Sequence, residues 1–281
     1  MAELPREGFI QHIGNATVLL RVGAFTVLTD PNFLHRGDHV HLGYGLHATR
    51  LTDPAIELDA LPPLDFVLLS HLHEDHFDRE VARRLSRQVP IVTTARAARA
   101  LRRMGFSRAR SLETWESLHL EKEGVVLRVT ATPAQHGPPL VHRLLPPVMG
   151  SVLDFRDGRG ERLWRVYVSG DTLPVEALAD IPKRFPDIDL ALLHLGGTSV
   201  LGIIVTMTGA QGVEAMRMID ARESVPIHFD DYSVFTSGLD DFKRAVDAAG
   251  LSERVRYLER GRTYAFALAG AATPVPELHP Q

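Results

Sequence analysis

Residues 70–78, SHLHEDHFD, constrain this chain most, because they crowd four potential metal ligands directly behind an apolar run at residues 66–69. The four are His71, His73, Asp75 and His76. Imidazole and carboxylate groups are ligands that Zn, Mn, Fe and Co all accept. A polar turn in which Asp75 caps the next helix would account for one or two of these residues, but not for four. The pattern therefore predicts a metal site at the carboxyl end of a buried strand.

Three further candidate ligands follow predicted strands later in the chain. His136 comes after the run at residues 125–132, Asp171 follows the run at 163–169, and His228 closes the run at 225–228. A single histidine or aspartate at a strand end is more often structural. Together, and in this order after H-x-H-x-D-H, they predict the remaining ligands of a site for two divalent ions. We expect Zn or Mn, with Fe as the alternative.

The rest of the sequence alternates strand and helix signals. Three short runs rich in β-branched and aromatic residues open the chain, and helices are predicted at residues 79–86, 95–104, 209–220 and 239–249. Residues 32–63 are predicted as a long polar loop, and residues 255–267 as a closing strand pair. No shift in composition indicates a linker, so residues 1–269 are predicted as one domain and 270–281 as a loose tail. A sandwich of two sheets and a single doubly wound sheet both fit this periodicity.

Six stretches carry a resemblance to a known family: IGNATVLL, LTDP, HLHEDHFD, TPAQH, SGDT and PIHFDDYSVF. From about residue 9 to residue 266 the chain resembles the metallo-β-lactamase-fold hydrolase superfamily. The branch it resembles contains L-ascorbate-6-phosphate lactonase and N-acyl-phosphatidylethanolamine phospholipase D. One position departs from that branch, since Asn15 stands where Gly-His-Ala-Thr would place a histidine. We expect His12 or Asn15 to take its place, unless both only satisfy hydrogen bonds at the strand ends.

The resemblance implies an α/β fold of four layers, an αβ/βα sandwich in which two mixed sheets lie face to face with helices outside. This favours the sandwich over the doubly wound sheet. It also implies a division of the seven ligands: His71, His73 and His136 for one ion, Asp75, His76 and His228 for the other, and Asp171 bridging both.

A two-metal site of this kind predicts a hydrolase in which metal-activated hydroxide attacks a small anionic ester, either a lactone or a phosphodiester. Asp75 is expected to transfer protons as well as bind metal, and Asp30 to orient a ligand histidine. His194 is predicted as a second catalytic residue, because it ends an apolar strand. The predicted substrate-binding residues are Arg36, Tyr44, Arg50, His142 and Arg143.

The amino-acid composition excludes several other classes of site and predicts where the protein acts. The 281 residues include no cysteine, which excludes disulfides, thiolate ligands and a cysteine nucleophile. The start lacks a secretory signal and the apolar stretch at 190–205 is interrupted, so we expect a cytoplasmic protein without integral membrane association.

The alternative function is nucleic-acid processing, with the arginines of residues 79–110 contacting phosphates. A net charge of −4 and the lack of an inserted arm argue against it, so no nucleic-acid partner is expected. Homo-oligomer formation is left open.

Overall fold

The computed structural model describes residues 7–43, 45–200 and 202–269. Tyr44 and the predicted tail at 270–281 lie outside the described residues. The strands are β1 (Glu7–Gly14), β2 (Thr17–Val22), β3 (Phe25–Thr29), β4 (His39–Gly43), β5 (Leu46–Thr49), β6 (Phe66–Leu68), β7 (Ile91–Thr93), β8 (Ala109–Ser111), β9 (Ser117–Lys122), β10 (Val125–Thr132), β11 (Gly150–Asp157), β12 (Arg162–Val168), β13 (Leu190–His194), β14 (Ser199–Val200), β15 (Ile203–Ile204), β16 (Glu223–Ile227) and β17 (Thr263–Ala267). The α-helices are α1 (Arg79–Arg84), α2 (Ala95–Arg103), α3 (Asp180–Arg184), α4 (Gly209–Ile219) and α5 (Leu239–Ala249).

Two mixed sheets form the centre of the molecule. The first has the order β17-β1-β2-β3-β6-β7-β8, and the second has the order β16-β13-β12-β11-β10-β9. In the first sheet β3, β6, β7 and β8 run parallel, and in the second β12, β13 and β16 run parallel. The remaining pairs in each sheet are antiparallel, so both sheets are mixed, as predicted.

The core divides into layers because alternate side chains of each strand point to opposite faces. Phe66 and Leu68 of β6 belong to the cluster between the sheets, which also contains Val166 of β12. Val67, between them in sequence, instead joins the cluster under α1 and α2, which includes Leu101. A third cluster packs α4 and α5 on the outer face of the second sheet. This is the predicted four-layer αβ/βα sandwich.

Local signals explain where the helices begin. Asp78 accepts a hydrogen bond from the backbone N–H of Val81 and so caps α1. Thr208 and Gln211 form a capping box at the start of α4, as the sequence predicts for an N-terminal threonine. Among the described residues, no helix is both long enough and apolar enough to span a bilayer.

Two parts of the predicted element order are wrong. The segment 32–63 is not one loop, because it contains the antiparallel hairpin of β4 and β5. This hairpin shows only a short alternation, in which exposed His39 and His41 alternate with buried Val40 and Leu42. In addition, the predicted closing strand pair is a single strand, β17, which pairs with β1.

The strand directions determine where the site lies. Strands β3 and β6 of the first sheet end at the same edge, and so do β12, β13 and β16 of the second. Strand β10 runs with β12, because both pair antiparallel with β11. The residues that follow these strands therefore meet at one rim of the sandwich.

Candidate metal centre

All seven predicted ligands lie at this rim. His71, His73, Asp75 and His76 follow β6, and the other three come from the second sheet: His136 after β10, Asp171 after β12 and His228 after β16. All except His73 are buried, with between 0% and 5% of their surface exposed. Seven side chains distributed from residue 71 to residue 228 thus converge on one small volume.

Three histidines form the first group of donors. The Nε2 atom of His71 lies 3.0 Å from Nδ1 of His73. The His136 ring faces both, with centroid distances of 5.3 Å to His71 and 5.5 Å to His73. One donor atom of each ring lies within 4.8 Å of the others. Donors bonded to one zinc ion at about 2.1 Å lie roughly 3–3.5 Å apart, so this spacing suits a single ion.

The second group consists of Asp75, His76 and His228. The Oδ2 atom of Asp75 lies 3.4 Å from Nε2 of His228 and 3.8 Å from Nε2 of His76. Asp171 lies between the two groups, because its Oδ2 atom is 3.3 Å from Nε2 of His76 and 3.9 Å from Nε2 of His71. These distances are compatible with the division of ligands that the resemblance implied, and that division stays a prediction.

Four of the histidines are held by hydrogen bonds on the side facing away from the site. The Nδ1–H group of His136 donates to the Val205 carbonyl at 2.8 Å, and that of His228 donates to the Leu195 carbonyl at 3.1 Å. Nδ1 of His71 lies 3.0 Å from the Ser70 hydroxyl, and Nδ1 of His76 lies 3.4 Å from Oδ2 of Asp30. In a neutral imidazole that donates through Nδ1, Nε2 keeps its lone pair, which is the state a metal ligand requires.

Unpartnered atoms in the cluster test whether a cation fits. Oδ1 of Asp75, Oδ1 of Asp171 and Nε2 of His76 are buried without a hydrogen-bond partner. Leaving buried polar atoms unpaired is costly unless a ligand satisfies them. The ion-pair partners of Asp75 and Asp171 among the described residues are histidines rather than lysine or arginine. The donor set therefore fits divalent cations.

The pKa shifts of the clustered residues also favour a site for cations. Burial favours the neutral acid, but His228 and His76 outweigh it and hold the pKa of Asp171 well below its ordinary value. Burial likewise opposes the charge on His76, yet Asp171, Asp75 and Asp30 together raise the pKa of that imidazole well above its ordinary value. The buried carboxylates thus attract positive charge strongly.

Asp30 lies where a residue that orients a ligand would lie. Its Oδ1 atom accepts hydrogen bonds from the Ser70 backbone N–H at 2.7 Å and from the Ser70 hydroxyl at 3.0 Å. Its Oδ2 atom faces His76 and His194.

The structure shows the surroundings of His194, the second predicted catalytic residue. This residue is fully buried, with Nε2 3.2 Å from Oδ2 of Asp30 and Nδ1 3.1 Å from the Ser169 hydroxyl. It is not among the residues that line the cavity described below, and its catalytic role stays a prediction. The polar ring at the end of an apolar strand is explained by Asp30, a residue far away in sequence.

Arg50, which is predicted to bind substrate, is buried. It is 0% exposed, and its guanidinium donates to Asn32 Oδ1 and to the Thr52 carbonyl and lies 3.1 Å from Asp231 Oδ1. These partners all belong to the protein itself, and substrate binding by Arg50 stays a prediction.

The cavity in front of the ligands shows where substrate could bind. His73, Asp75, His136 and Asp171 form its metal-binding side. None of its lining residues in the described chain is a lysine or an arginine. Arg36, His142 and Arg143 are exposed and do not line it, although Leu145, in the same turn as the last two, does. These three residues stay predictions.

Asn15 is the residue whose role the sequence left most open. Its side-chain amide donates to the Asp75 carbonyl at 2.7 Å, and its own carbonyl accepts the His228 backbone N–H at 3.0 Å. His12 contacts the same carbonyl through Nε2 at 3.2 Å. Asn15 and His228 both adopt positive φ angles, 50° and 62°, a backbone conformation that is costly outside glycine and that clusters at functional sites. Asn15 thus holds the backbone of two predicted ligands.

Comparison with known proteins agrees with the fold. The β-lactamase superfamily domain matches residues 26–229. The chain is 25% identical over 251 residues to N-acyl-phosphatidylethanolamine-hydrolyzing phospholipase D 1 of Caenorhabditis elegans, covering 82% of this chain and 65% of that protein. It is 24% identical over 209 residues to a UPF0173 metal-dependent hydrolase of Nanoarchaeum equitans, covering 73% of this chain and 87% of that protein.

Among solved structures, the isothiocyanate hydrolase from Delia radicum gut bacteria superposes with a TM-score of 0.79. Its sequence identity is 20%, and the match covers 92% of this chain and 99% of that one. The four layers, the ligand rim and the domain match define one class of protein, a metal-dependent hydrolase of the sandwich type. The chain belongs to the β-lactamase superfamily.

Proposed function

We propose that this protein binds two divalent ions and hydrolyses an ester, with a lactone or another carboxylic ester as the first candidate. The observation that carries the proposal is the pair of three-donor groups joined by Asp171. His71, His73 and His136 would hold one ion, and Asp75, His76 and His228 the other. When bound, two such ions lower the pKa of water to near 7 and neutralise negative charge developing on the substrate oxygen.

The chain's own groups would do the remaining work. The carbonyls of Val205 and Leu195 fix the His136 and His228 rings, so that both Nε2 atoms point at the site. Asp30 would act in the same way on His76, with His194 and Ser70 holding Asp30 in place. In this assignment Asp30 and His194 are positioning residues.

Asp75 is the proposed proton carrier. It lines the cavity, and its Oδ1 atom has no hydrogen-bond partner, while Oδ2 faces His228. Burial opposes its charge, but His76 and His228 lower the pKa of this carboxyl to about 2, so it is ionised at neutral pH. An ionised, unpartnered oxygen at the cavity can accept a proton from the attacking water and return it to the leaving group.

A phosphodiester is the second candidate, favoured by the similarity to the nematode phospholipase D. Because the chain spans 65% of that protein's length, its activity transfers only as a proposal. Phosphodiester cleavage would use the same donors, since two ions can stabilise both the attacking and the leaving oxygen. The nucleic-acid reading is weaker, because Arg83 pairs with Glu80, Arg84 with Asp59, and Arg87 donates to backbone carbonyls.

The test combines metal analysis with a substrate panel. Purified protein is stripped with chelator, reloaded with Zn, Mn or Fe, and assayed on lactones, carboxylic esters, phosphodiesters and single-stranded RNA. We expect two ions per chain and hydrolysis of one ester class. Asp75→Asn should abolish hydrolysis and also weaken binding of the second ion, because Asp75 is a predicted ligand of that ion. A protein that takes up no divalent ion, or that hydrolyses only RNA, would contradict the proposal.

A further inference from the structure

Six of the residues that line the cavity are aliphatic. They are Leu42, Leu46, Leu145, Val200, Val205 and Val234, which we call the apolar wall. The other lining residues outside the predicted ligands are Thr198 and Thr206, both uncharged. The backbone N–H of Thr198 donates to the Thr206 hydroxyl at 2.7 Å, which ties these two residues together.

The apolar wall is assembled from separate parts of the chain. Leu42 and Leu46 come from the β4–β5 hairpin, Leu145 from the turn after His136, and Val200 from the β14–β15 hairpin. The first hairpin is amphipathic: Val40 and Leu42 are buried against Tyr232. Its histidines, by contrast, are exposed. Segments that far apart in sequence all present aliphatic side chains to one cavity, so the surface is not an accident of one loop.

The lack of basic side chains in the cavity lining determines which substrate groups the apolar wall can bind. An anionic group on the non-reacting part of a substrate would be removed from water here without a basic side chain to receive it. Such burial costs several kcal/mol when no partner compensates it. Arg50, one of the predicted substrate-binding residues, already contacts Asp231 and Asn32. Burying aliphatic groups against the same wall is favourable instead.

We propose that the apolar wall binds an uncharged aliphatic group next to the scissile bond, so that the preferred substrates are neutral aliphatic esters or lactones. This inference rests on the proposed ester hydrolysis and replaces the small anionic substrate expected from the sequence. The metal-binding side would then handle the reacting atoms, while the wall selects the remainder of the molecule by its size and lack of charge.

The first experiment compares matched substrates on the metal-loaded protein. p-Nitrophenyl butanoate and hexanoate test chain length, and the mono-p-nitrophenyl ester of adipic acid has the same six-carbon acyl chain as hexanoate with a carboxylate at its far end. We expect kcat/KM to rise roughly fourfold per added methylene and to fall about tenfold or more for the adipate ester. Equal or faster hydrolysis of the adipate ester would overturn the inference.

Two variants in one turn separate the wall from general effects. Leu145→Ala shortens a wall residue that is 5% exposed, whereas Leu140→Ala alters a side chain that is 85% exposed. We expect Leu145→Ala to reduce the preference for hexanoate over butanoate, mainly through KM, and Leu140→Ala to leave it unchanged. An unchanged preference in a folded Leu145→Ala protein, shown by circular dichroism, would count against the wall.

A binding measurement keeps this inference separable from the catalytic proposal. Ligand-observed NMR compares 1-hexanol with an uncharged polyether alcohol of equal length on the loaded protein. Hexanol should bind more tightly, and Leu145→Ala should weaken it while Leu140→Ala does not. If no ester is hydrolysed but this pattern is found, the ester reaction is wrong and the wall stands. If esters are hydrolysed without any preference for hexanol, the wall is wrong and the reaction stands.

Discussion

Two buried charged clusters lie side by side at the rim, and they differ in how their charge is compensated. The metal-binding cluster contains Asp75 and Asp171, each with an Oδ1 atom that has no hydrogen-bond partner. Three residues after His228, Asp231 is equally buried, but both of its oxygens are engaged. Oδ2 accepts the Asn15 backbone N–H at 2.6 Å, and Oδ1 lies 3.1 Å from both Arg50 and Arg260.

The difference separates a cluster that stabilises the fold from a cluster that is suited to bind a ligand. The negative charge of Asp231 is compensated by arginines of the same chain, so its ion pairs stabilise the fold. Within the described part of the chain, the ion-pair partners of Asp75 and Asp171 are all histidines. A buried carboxylate whose partners are imidazoles rather than lysine or arginine can take a metal ion as its counter-charge, and a metal ion is what we propose for this donor set.

The largest effect on stability is expected from Asp231→Ala. The change leaves Arg50 buried without a counter-charge, which costs about 3–5 kcal/mol of unfolding free energy. Denaturant unfolding of the metal-loaded protein measures it. Asp230→Ala is the neighbouring control: that side chain is 51% exposed and pairs with Arg260 at 3.2 Å, so its loss should cost less than about 1 kcal/mol. Equal losses in the two variants would refute the contrast between the clusters.

Asp171→Asn should act on metal binding and catalysis rather than on the fold. Removing the charge shared by both donor groups should reduce kcat/KM by more than about a hundredfold, above the range for residues that only orient ligands. Wild-type protein at metal concentrations a thousand times Kd gains about 4 kcal/mol of stability from the metal. Most of this gain should vanish in Asp171→Asn and persist in Asp231→Ala. A full metal-dependent gain in Asp171→Asn would exclude the bridging role.

Asp30→Ala is expected to have an intermediate effect. The His76 ring loses the carboxylate on its Nδ1 side, so metal affinity should fall about tenfold to a hundredfold. Competition with a chromophoric chelator gives the affinity, and circular dichroism checks that the chain stays folded. Asp59→Ala serves as control, because its 74% exposed side chain pairs only with Arg84 at the surface. A folded Asp30→Ala protein that holds two ions as tightly as wild type would remove Asp30 from the site.

The smallest effect concerns acid stability. Burial favours the neutral form of Asp231, but Arg50 and Arg260 outweigh it and lower the pKa of this carboxyl below its ordinary value of 3.8. A lowered folded-state pKa stabilises the protein above pH 3.8, and this contribution is lost as the pH falls through the folded-state pKa. In chelator, the stability difference between wild type and Asp231→Asn should therefore shrink as the pH falls below about 4. Near neutrality the difference also contains a contribution from Asp230, because burial and the neighbouring Asp231 raise the pKa of that carboxyl to about 7. A difference that grows in acid would show that Asp231 is not stabilised as an anion.

Much of the site could be predicted because its information is local. H-x-H-x-D-H directly follows a buried strand, and His136, Asp171 and His228 each follow another, so the strand signals already place candidate ligands at strand ends. Parallel strands bring such ends to one edge. The apolar runs likewise located most helices and strands from neighbouring residues alone.

What only the tertiary structure decided is which polar side chains already have a partner. Arg50 and His194 looked available in the sequence, but Asp231 and Asp30 occupy them across long stretches of chain. The sequence also did not predict the β4–β5 hairpin, because the burial of its leucines depends on neighbours that are distant in sequence. Candidate metal ligands can be identified from short spacings along the chain. Charge compensation and the lining of a cavity, in contrast, depend on neighbours that only folding brings together.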